Sequence, residues 1–364
     1  MHATRPLDGL TKGGSWSALS LTRVGERMPP GAPAYRARQL YRAIHAGCVW
    51  EWQEASELSL DLKAKLAAVL PLRSLCVDRD LTSAYDGTRK VLFRTVEGGH
   101  VESVLMHSDA KSSRHTVCVS SQIGCPAACA FCASGLSFTR NLTTAEIIDQ
   151  VEFFAGALRR AGRRLDNLVY MGMGEPFLNY QRVMESISQV RDPEGVGLGA
   201  RRITVSTVGI VPAIQRFATE AGEVNLAVSL HAPNDDLRSE LVPYNHRFPI
   251  AEVMTAVEEY IKITRRRVSF EYVLLQGTND SSLLARELAM LLIPLNPLVH
   301  VNLIPWNPFG EALFARATRE TAEAFARKLR GLGINATIRY SKGLDIDAAC
   351  GQLRERVTRE AMAS

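Results

Sequence analysis

Residues 118–132 read Cys118-Val-Ser-Ser-Gln-Ile-Gly-Cys125-Pro-Ala-Ala-Cys129-Ala-Phe-Cys132. The last three cysteines stand at relative positions 0, 4 and 7, shortly after a β-like run over 115–120. Three thiolates on one tight loop can hold three irons of a cubane [4Fe–4S] cluster and leave the fourth iron open to an outside ligand. A structural zinc site wants four ligands, usually in C-x₂-C pairs, and a ferredoxin-type carrier wants a fourth suitably spaced cysteine. The spacing therefore points to an open-iron cluster on Cys125, Cys129 and Cys132.

On either side of this loop the chain alternates between strand and helix patterns. Strands are expected over 115–120, 167–171, 202–206, 225–230, 268–275 and 300–304, with a seventh over 335–340. Helical segments such as 144–158, 180–190, 250–263, 282–292 and 320–332 lie between them. Such alternation predicts an α/β barrel or an open doubly wound sheet. Upstream, Val91-Leu92-Phe93 and 101–106 are β-like, with turns at Asp86-Gly87 and Gly98-Gly99. They suggest a small antiparallel sheet over 76–110. Residues 34–75 carry apolar residues at helical spacing and read as a small basic helical domain. Residues 1–33, rich in Gly, Pro and Ser, read as a loose lead-in.

Bulk properties narrow the class. The chain has 364 residues, of which 46% are hydrophobic and 22% charged, enough to bury a sizeable core. No apolar run of about 18 residues is present, which excludes a membrane-spanning helix. The N-terminus has no apolar segment of the kind that directs secretion, so a cytoplasmic location is expected. The net charge of +5 is compatible with a nucleic-acid partner without establishing one. Seven cysteines, three of them within eight residues, suit metal binding or catalysis in a reducing compartment better than a disulfide framework.

Several polar residues fall at the expected C-terminal ends of strands, the rim where barrel folds bind ligands. They are Glu175 in Gly172-Met-Gly-Glu-Pro176, then Ser206, Ser229-Leu230-His231 and Asn307. In the first of these motifs Gly172 and Gly174 let the backbone approach a ligand, and Glu175 can accept from a cationic amine. Cys350, in Ala348-Ala-Cys-Gly351, reads as a thiol on a turn with clearance around it.

These motifs, taken together, resemble the RlmN/Cfr family of radical S-adenosylmethionine (SAM) adenine methyltransferases of ribosomal RNA. The resemblance rests on the 118–132 run, on Asn141-Leu-Thr-Thr-Ala-Glu146, Met171-Gly-Met-Gly-Glu-Pro176 and Ser229-Leu-His-Ala-Pro-Asn-Asp235. Asn302-Leu-Ile-Pro-Trp-Asn-Pro308 and Asp345-Ile-Asp-Ala-Ala-Cys-Gly-Gln352 complete it. It spans about Tyr35 to Leu353, with every motif in order.

The resemblance implies a fold, a set of site residues and a reaction. The fold is a radical SAM partial (β/α)6 barrel over 111–345, preceded by the helical accessory domain, which contacts RNA, and the short antiparallel extension. A C-terminal segment, 346–364, carries Cys350. By the same resemblance SAM chelates the open iron, and Gly174, Glu175, Ser206, Ser229, Leu230, His231 and Asn307 line its pocket. Carbon 2 of adenine is electron-poor and a poor nucleophile, so in the implied reaction one SAM methylates Cys350 instead. A second SAM, cleaved at the cluster, takes a hydrogen from that methyl group, and the methylene radical adds to adenine. Cys118 then helps resolve the protein–RNA adduct, leaving a disulfide with Cys350. Glu102 matches a proton acceptor of the family, and whether Glu102 or Cys118 removes the carbon-2 proton stays open at this point.

The expected partners are 23S rRNA, with tRNA as a second substrate in some family members, and an electron donor such as flavodoxin or ferredoxin. A monomer is expected. The chain departs from the family's pattern at Ile338-Arg-Tyr-Ser-Lys-Gly343 and in the loop filling Pro126-Ala-Ala128. The Asp345-Ile-Asp-Ala-Ala349 stretch looks RlmN-like, which makes carbon 2 the expected target. Methylation of carbon 8 is the alternative within enzymes, and a metal-stabilised RNA-binding protein is the alternative outside them.

Overall fold

The computed structural model describes residues 14–107, 114–309 and 313–353. The first part of the lead-in, the expected boundary at 110/111 and the C-terminal segment beyond Leu353 lie outside the described residues.

The chain opens with helices α1 (Leu21–Glu26), α2 (Tyr35–His45) and α3 (Leu60–Val69). Their apolar faces close a small core of their own around Leu40, Ile44 and Leu66. Trp16 is fully buried in this core, and its indole donates to the Leu66 carbonyl at 3.0 Å. This corrects the loose lead-in for residues 14–33: the aromatic anchor and Val24 outweigh the Gly/Pro composition.

Three antiparallel strands follow, β1 (Leu75–Thr82), β2 (Arg89–Thr95) and β3 (His100–His107). They do not form a separate sheet. β3 pairs antiparallel with β4 (His115–Val119), Val104 opposite Cys118, so the extension continues the barrel's own sheet.

After β4 come a short hairpin of β5 (Gln122–Gly124) and β6 (Phe138–Asn141), then α4 (Thr144–Arg160). The alternation then runs β7 (Asn167–Tyr170), α5 (Tyr180–Val190), β8 (Ile203–Thr207), α6 (Val211–Glu220) and β9 (Asn225–Ser229). It continues with α7 (Asp235–Leu241), α8 (Ile250–Thr264), β10 (Val268–Leu274), α9 (Ser282–Leu292), β11 (Val299–Pro305), α10 (Arg319–Gly331) and β12 (Ala336–Ile338). The sheet order is β1-β2-β3-β4-β7-β8-β9-β10-β11-β12, parallel from β4 onward. Six parallel strands with helical crossovers make the expected partial barrel, and β12 adds a short seventh at the open edge.

Local chemistry starts α4 where the sequence places it. Thr143 caps α4 by accepting from the Glu146 amide, and the Glu146 carboxylate accepts from the Thr143 amide in return. Ile147, Val151, Phe154 and Leu158 then recur at helical spacing and are buried against the strands. Among the described residues, no helix is long and apolar enough to cross a membrane.

Candidate functional site

Cys125, Cys129 and Cys132 occupy the connection of the β5–β6 hairpin, which stands over the C-terminal ends of β4 and β7. The Cys125 amide donates to Ser137 at 2.8 Å, closing the loop at its base, and the Cys132 amide donates to Cys129 at 3.1 Å. Ala128 between them adopts φ 53°, a left-handed turn that an L-residue holds only where its surroundings impose it. Gly124, at φ 73°, could carry no side chain, because a Cβ would lie 2.0 Å from the Ser137 carbonyl. The shape of the loop is thus set by the chain itself.

Its three thiols line one cavity of about 160 Å³, together with Gly174, Glu175, Ser206, Ser229, His231, Asn307 and Cys350. Burial pushes all three thiols up, Cys125 to about 12, so without a metal they are neutral. Iron would displace their protons, since a coordinating thiol ionises. Among the described residues no three His, Cys, Asp or Glu side chains converge on a single ion. A cubane needs no such convergence, because each thiolate takes its own iron. The donor set fits a three-cysteine cluster and not a closed zinc site.

Gly172 and Gly174 serve the chain before they serve a ligand. A Cβ on Gly172 would meet Ser120 Oγ at 2.6 Å, and one on Gly174 would meet the Gln122 side chain at 2.6 Å. The turn packs against β4 and β5 and so delivers Glu175 to the cavity wall. Glu175 accepts from the Phe177 amide at 2.9 Å and the Val208 amide at 2.8 Å. Burial nevertheless raises its carboxyl to about 7. Ser206 and Ser229, at the ends of β8 and β9, lie 3.1 Å apart through their hydroxyls. His231, at φ 62°, accepts the Val273 amide on Nδ1 at 3.0 Å, which leaves the ring proton on Nε2. Burial, with Arg238 nearby, lowers it to about 3, so the ring is neutral.

Leu230 is not brought to the cavity. It is fully buried, and its amide donates to the Glu271 carbonyl at 3.0 Å.

Cys350 is exposed, lines the cavity, and sits on a loop fastened directly to the cysteine hairpin. The Ala133 amide donates to the Gly351 carbonyl at 2.8 Å, Ser134 Oγ to the Leu353 carbonyl at 2.6 Å, and Asn307 Nδ2 to the Cys350 carbonyl at 3.0 Å. The expected clearance around this thiol opens into the cavity. Packing on its other sides, with Glu271 and Cys132 close by, pushes it up to about 11.

Cys118 and Glu102 stand behind the cavity wall. Cys118 is buried on β4, near enough to Cys350 for that thiol to help raise its pKa, although burial is the larger cause. Glu102 is buried on β3 and pairs with Lys90 Nζ at 3.0 Å. Lys90 Nζ also donates to the Asp347 carbonyl at 3.2 Å. One buried ammonium therefore ties Glu102 to the segment that carries Cys350. Sequence reasoning missed Lys90, and also Glu271 and Arg238. A lysine whose strand neighbours are Val91, Leu92 and Phe93 was the available signal for the first. Glu271 on β10 lines the cavity, accepts from Asn302 at 2.8 Å, and is raised to about 7 by burial. Arg238 is fully buried and donates to the carbonyls of Leu230 and Val208, tying together the rim loops after β8 and β9.

The Radical SAM superfamily model matches residues 119–288, a span that holds the three-cysteine loop but neither Cys118 nor Cys350. Full-length similarity reaches further. A probable dual-specificity RNA methyltransferase RlmN of Chloroflexus aurantiacus is 47% identical over 336 residues, 90% of this chain and 88% of the relative. A protein of the same name from Frankia casuarinae is 48% identical over 334 residues, 89% of this chain and 78% of the relative. Among solved structures, a radical SAM methyltransferase from Sphaerobacter thermophilus superposes with a TM-score of 0.89 at 49% identity, over 94% of this chain and all of the other.

Proposed function

The chain belongs to the RlmN family of radical SAM RNA methyltransferases, and we propose that it methylates carbon 2 of an adenosine in 23S rRNA through a methyl group carried on Cys350. The observation that carries this reading is the fastening of the Cys350 loop to the cysteine hairpin, with all four thiols on one cavity.

Cys125, Cys129 and Cys132 would hold the cluster, and Glu175 would accept from the SAM ammonium with its carboxylate ionised. Ser206, Ser229 and the Nε2 proton of His231 offer the remaining polar contacts of the pocket, and Leu230 supports them from the core. When bound, the cluster and SAM supply the methyl group and the one-electron chemistry that an electron-poor carbon requires. Two SAM molecules per turnover and an external electron donor are part of the reading.

The residues of the chain itself do the positioning and the acid–base work. Asn307 holds the Cys350 carbonyl and so fixes where its thiol stands. Cys118, buried beside Cys350, is the thiol that would release the RNA by forming a disulfide with it. Glu102 would accept the carbon-2 proton, its carboxylate oriented by Lys90. A base that must enter this cavity has to leave its stack, which suits a single-stranded or locally unfolded target. The proposal extends to an anticodon-adjacent adenosine of tRNA, as the family resemblance implies for some members.

The test is anaerobic reconstitution of the full chain with iron and sulfide, followed by SAM, dithionite and unmodified 23S rRNA fragments. Mass spectrometry after chromatographic separation of the digested nucleosides is expected to find 2-methyladenosine. Detection of 8-methyladenosine would move the chain to the carbon-8 branch. Absence of SAM cleavage in an iron-loaded sample would overturn the enzymatic reading in favour of a metal-stapled binder.

A further inference from the structure

A basic cavity lies away from the thiols. It encloses about 440 Å³ at the N-terminal ends of β7 and β8, where the last turn of α4 meets the accessory helices. Four arginines line it, Arg159 from the end of α4, Arg163 and Arg164 from the approach to β7, and Arg202 from the approach to β8. The candidate active site is at the other ends of the same strands. α4 separates the two by about 25 Å at roughly 1.5 Å per residue.

The charge of this cavity is poorly compensated. Asp166 is the one acid in its lining, and it accepts inward from the His115 amide at 2.9 Å as well as from Arg164 at 3.2 Å. Nearby Asp192 accepts from Tyr41 at 2.7 Å, and Glu194 pairs with Arg38 at 2.8 Å. Among the described residues the guanidinium groups of Arg163 and Arg202 have no ion-pair or hydrogen-bond partner.

A further wall is the loop Gly195-Val-Gly-Leu-Gly199. The fold does not explain all of its glycines. Gly199 has φ −63°, open to any residue, and a Cβ there would meet nothing within 4 Å. Among the described residues the amides of Val196, Gly197 and Gly199 have no acceptor, whereas the Leu198 amide is bonded to Val190. Unpaired amides on a bare backbone beside unpaired guanidinium groups are the elements of a phosphate cradle. No aromatic side chain lines the cavity, so a nucleobase would find no stacking surface there.

We propose that this cavity grips backbone phosphates of the RNA substrate at a distance from the modified base, an inference that rests on the RNA methyltransferase reading. It would set the register of the RNA on the enzyme without reading its sequence, as phosphate contacts do.

The test measures RNA binding apart from methylation. Anisotropy of a labelled 23S rRNA fragment is followed across a salt series for the reconstituted wild type, the Arg163→Ala/Arg202→Ala double variant and Gly199→Ala. The wild-type log–log salt slope is expected to shrink in the double variant by about 0.7–0.9 per lost contact, with affinity several-fold weaker at low salt. Gly199→Ala, tolerated by the fold, is expected to weaken binding as well. SAM cleavage by both variants is expected to match wild type. Wild-type affinity and slope in the double variant would overturn the proposal. So would stabilisation of the wild type by inorganic pyrophosphate that needs these arginines while RNA binding does not, since the cavity would then be a small-anion site. If the wild type itself fails to bind the RNA, the reading of the function falls first, and this inference with it.

Discussion

Glu175 and Glu271 are carboxyls buried in the wall of one cavity, and burial raises both to about 7 from an ordinary 4.5. Such a group keeps its proton in the folded chain after the unfolded chain has released it. Its stabilising contribution is complete below about 4.5 and is lost as pH rises through about 7. Glu271→Gln removes one of these groups while keeping an oxygen for Asn302. In the apo protein the stability difference between wild type and this variant is therefore expected to shrink between pH 4.5 and 7, as read from urea unfolding at a series of pH values. A difference that grows with pH would mean that Glu271 is ionised in the fold. The two outlying cysteines are separable in the same way, one residue at a time. Cys350→Ala is expected to abolish RNA methylation but retain the iron–sulfur absorbance, whereas Cys118→Ala is expected to accumulate a covalent protein–RNA species on denaturing gels. The cluster thiols could be read from sequence because their spacing alone encodes a ligand set. Lys90 could not, since its partners Glu102 and Asp347 are near it only in the fold, Asp347 being 257 residues away in the chain.

Among the elements, α4 joins the accessory helices to the barrel. Asp149 and Glu152 on its buried face meet Arg73, which also donates to the Val49 carbonyl at 3.0 Å, while His45 lies 2.6 Å from Glu152. Arg73→Met leaves two carboxylates buried without their cation, and a loss of about 3–5 kcal/mol in unfolding free energy is expected from chemical denaturation. A loss under about 1 kcal/mol would mean that water reaches the junction. The antiparallel extension plays a second joining role. Asp86 accepts from the Gly343 amide at 2.9 Å, Lys342 is held by the His107 carbonyl, and Lys90 holds Asp347, so β1–β3 cradle the approach to Cys350. Lys90→Met is expected to uncouple the reaction, with SAM still cleaved and RNA methylation reduced at least about tenfold. Equal loss of both would place Lys90 in the cofactor pocket instead. Sequence patterning located β2 and β3 and expected a small antiparallel sheet over 76–110, but gave neither β1 as a strand nor the pairing with β4. Alternation reveals which face a strand buries, not which neighbour it pairs with, and the β3–β4 pairing crosses a connection of seven residues.

For the whole molecule, the strand–helix alternation was readable because short β-prone runs such as Asn225–Ser229 and Val299–Pro305 alternate with helices that carry an apolar stripe, of which α4, α7, α9 and α10 also begin at a side-chain cap. The burial of Trp16 was not, because a single aromatic in a Gly/Pro-rich stretch gives no period. The chain brings together a three-thiol hairpin closed at its base, a polar strand-end rim and a loop carrying Cys350 that is hydrogen-bonded to both. All of this converges on the chemistry of Cys350, and the most direct measurement is the mass of the Cys350 peptide after the reconstituted protein is incubated with SAM and reductant, followed by proteolysis. A methyl group is expected on that thiol, lost when RNA substrate is added and product forms. Cleavage of SAM with the Cys350 thiol unmodified throughout would contradict the proposed role of that residue.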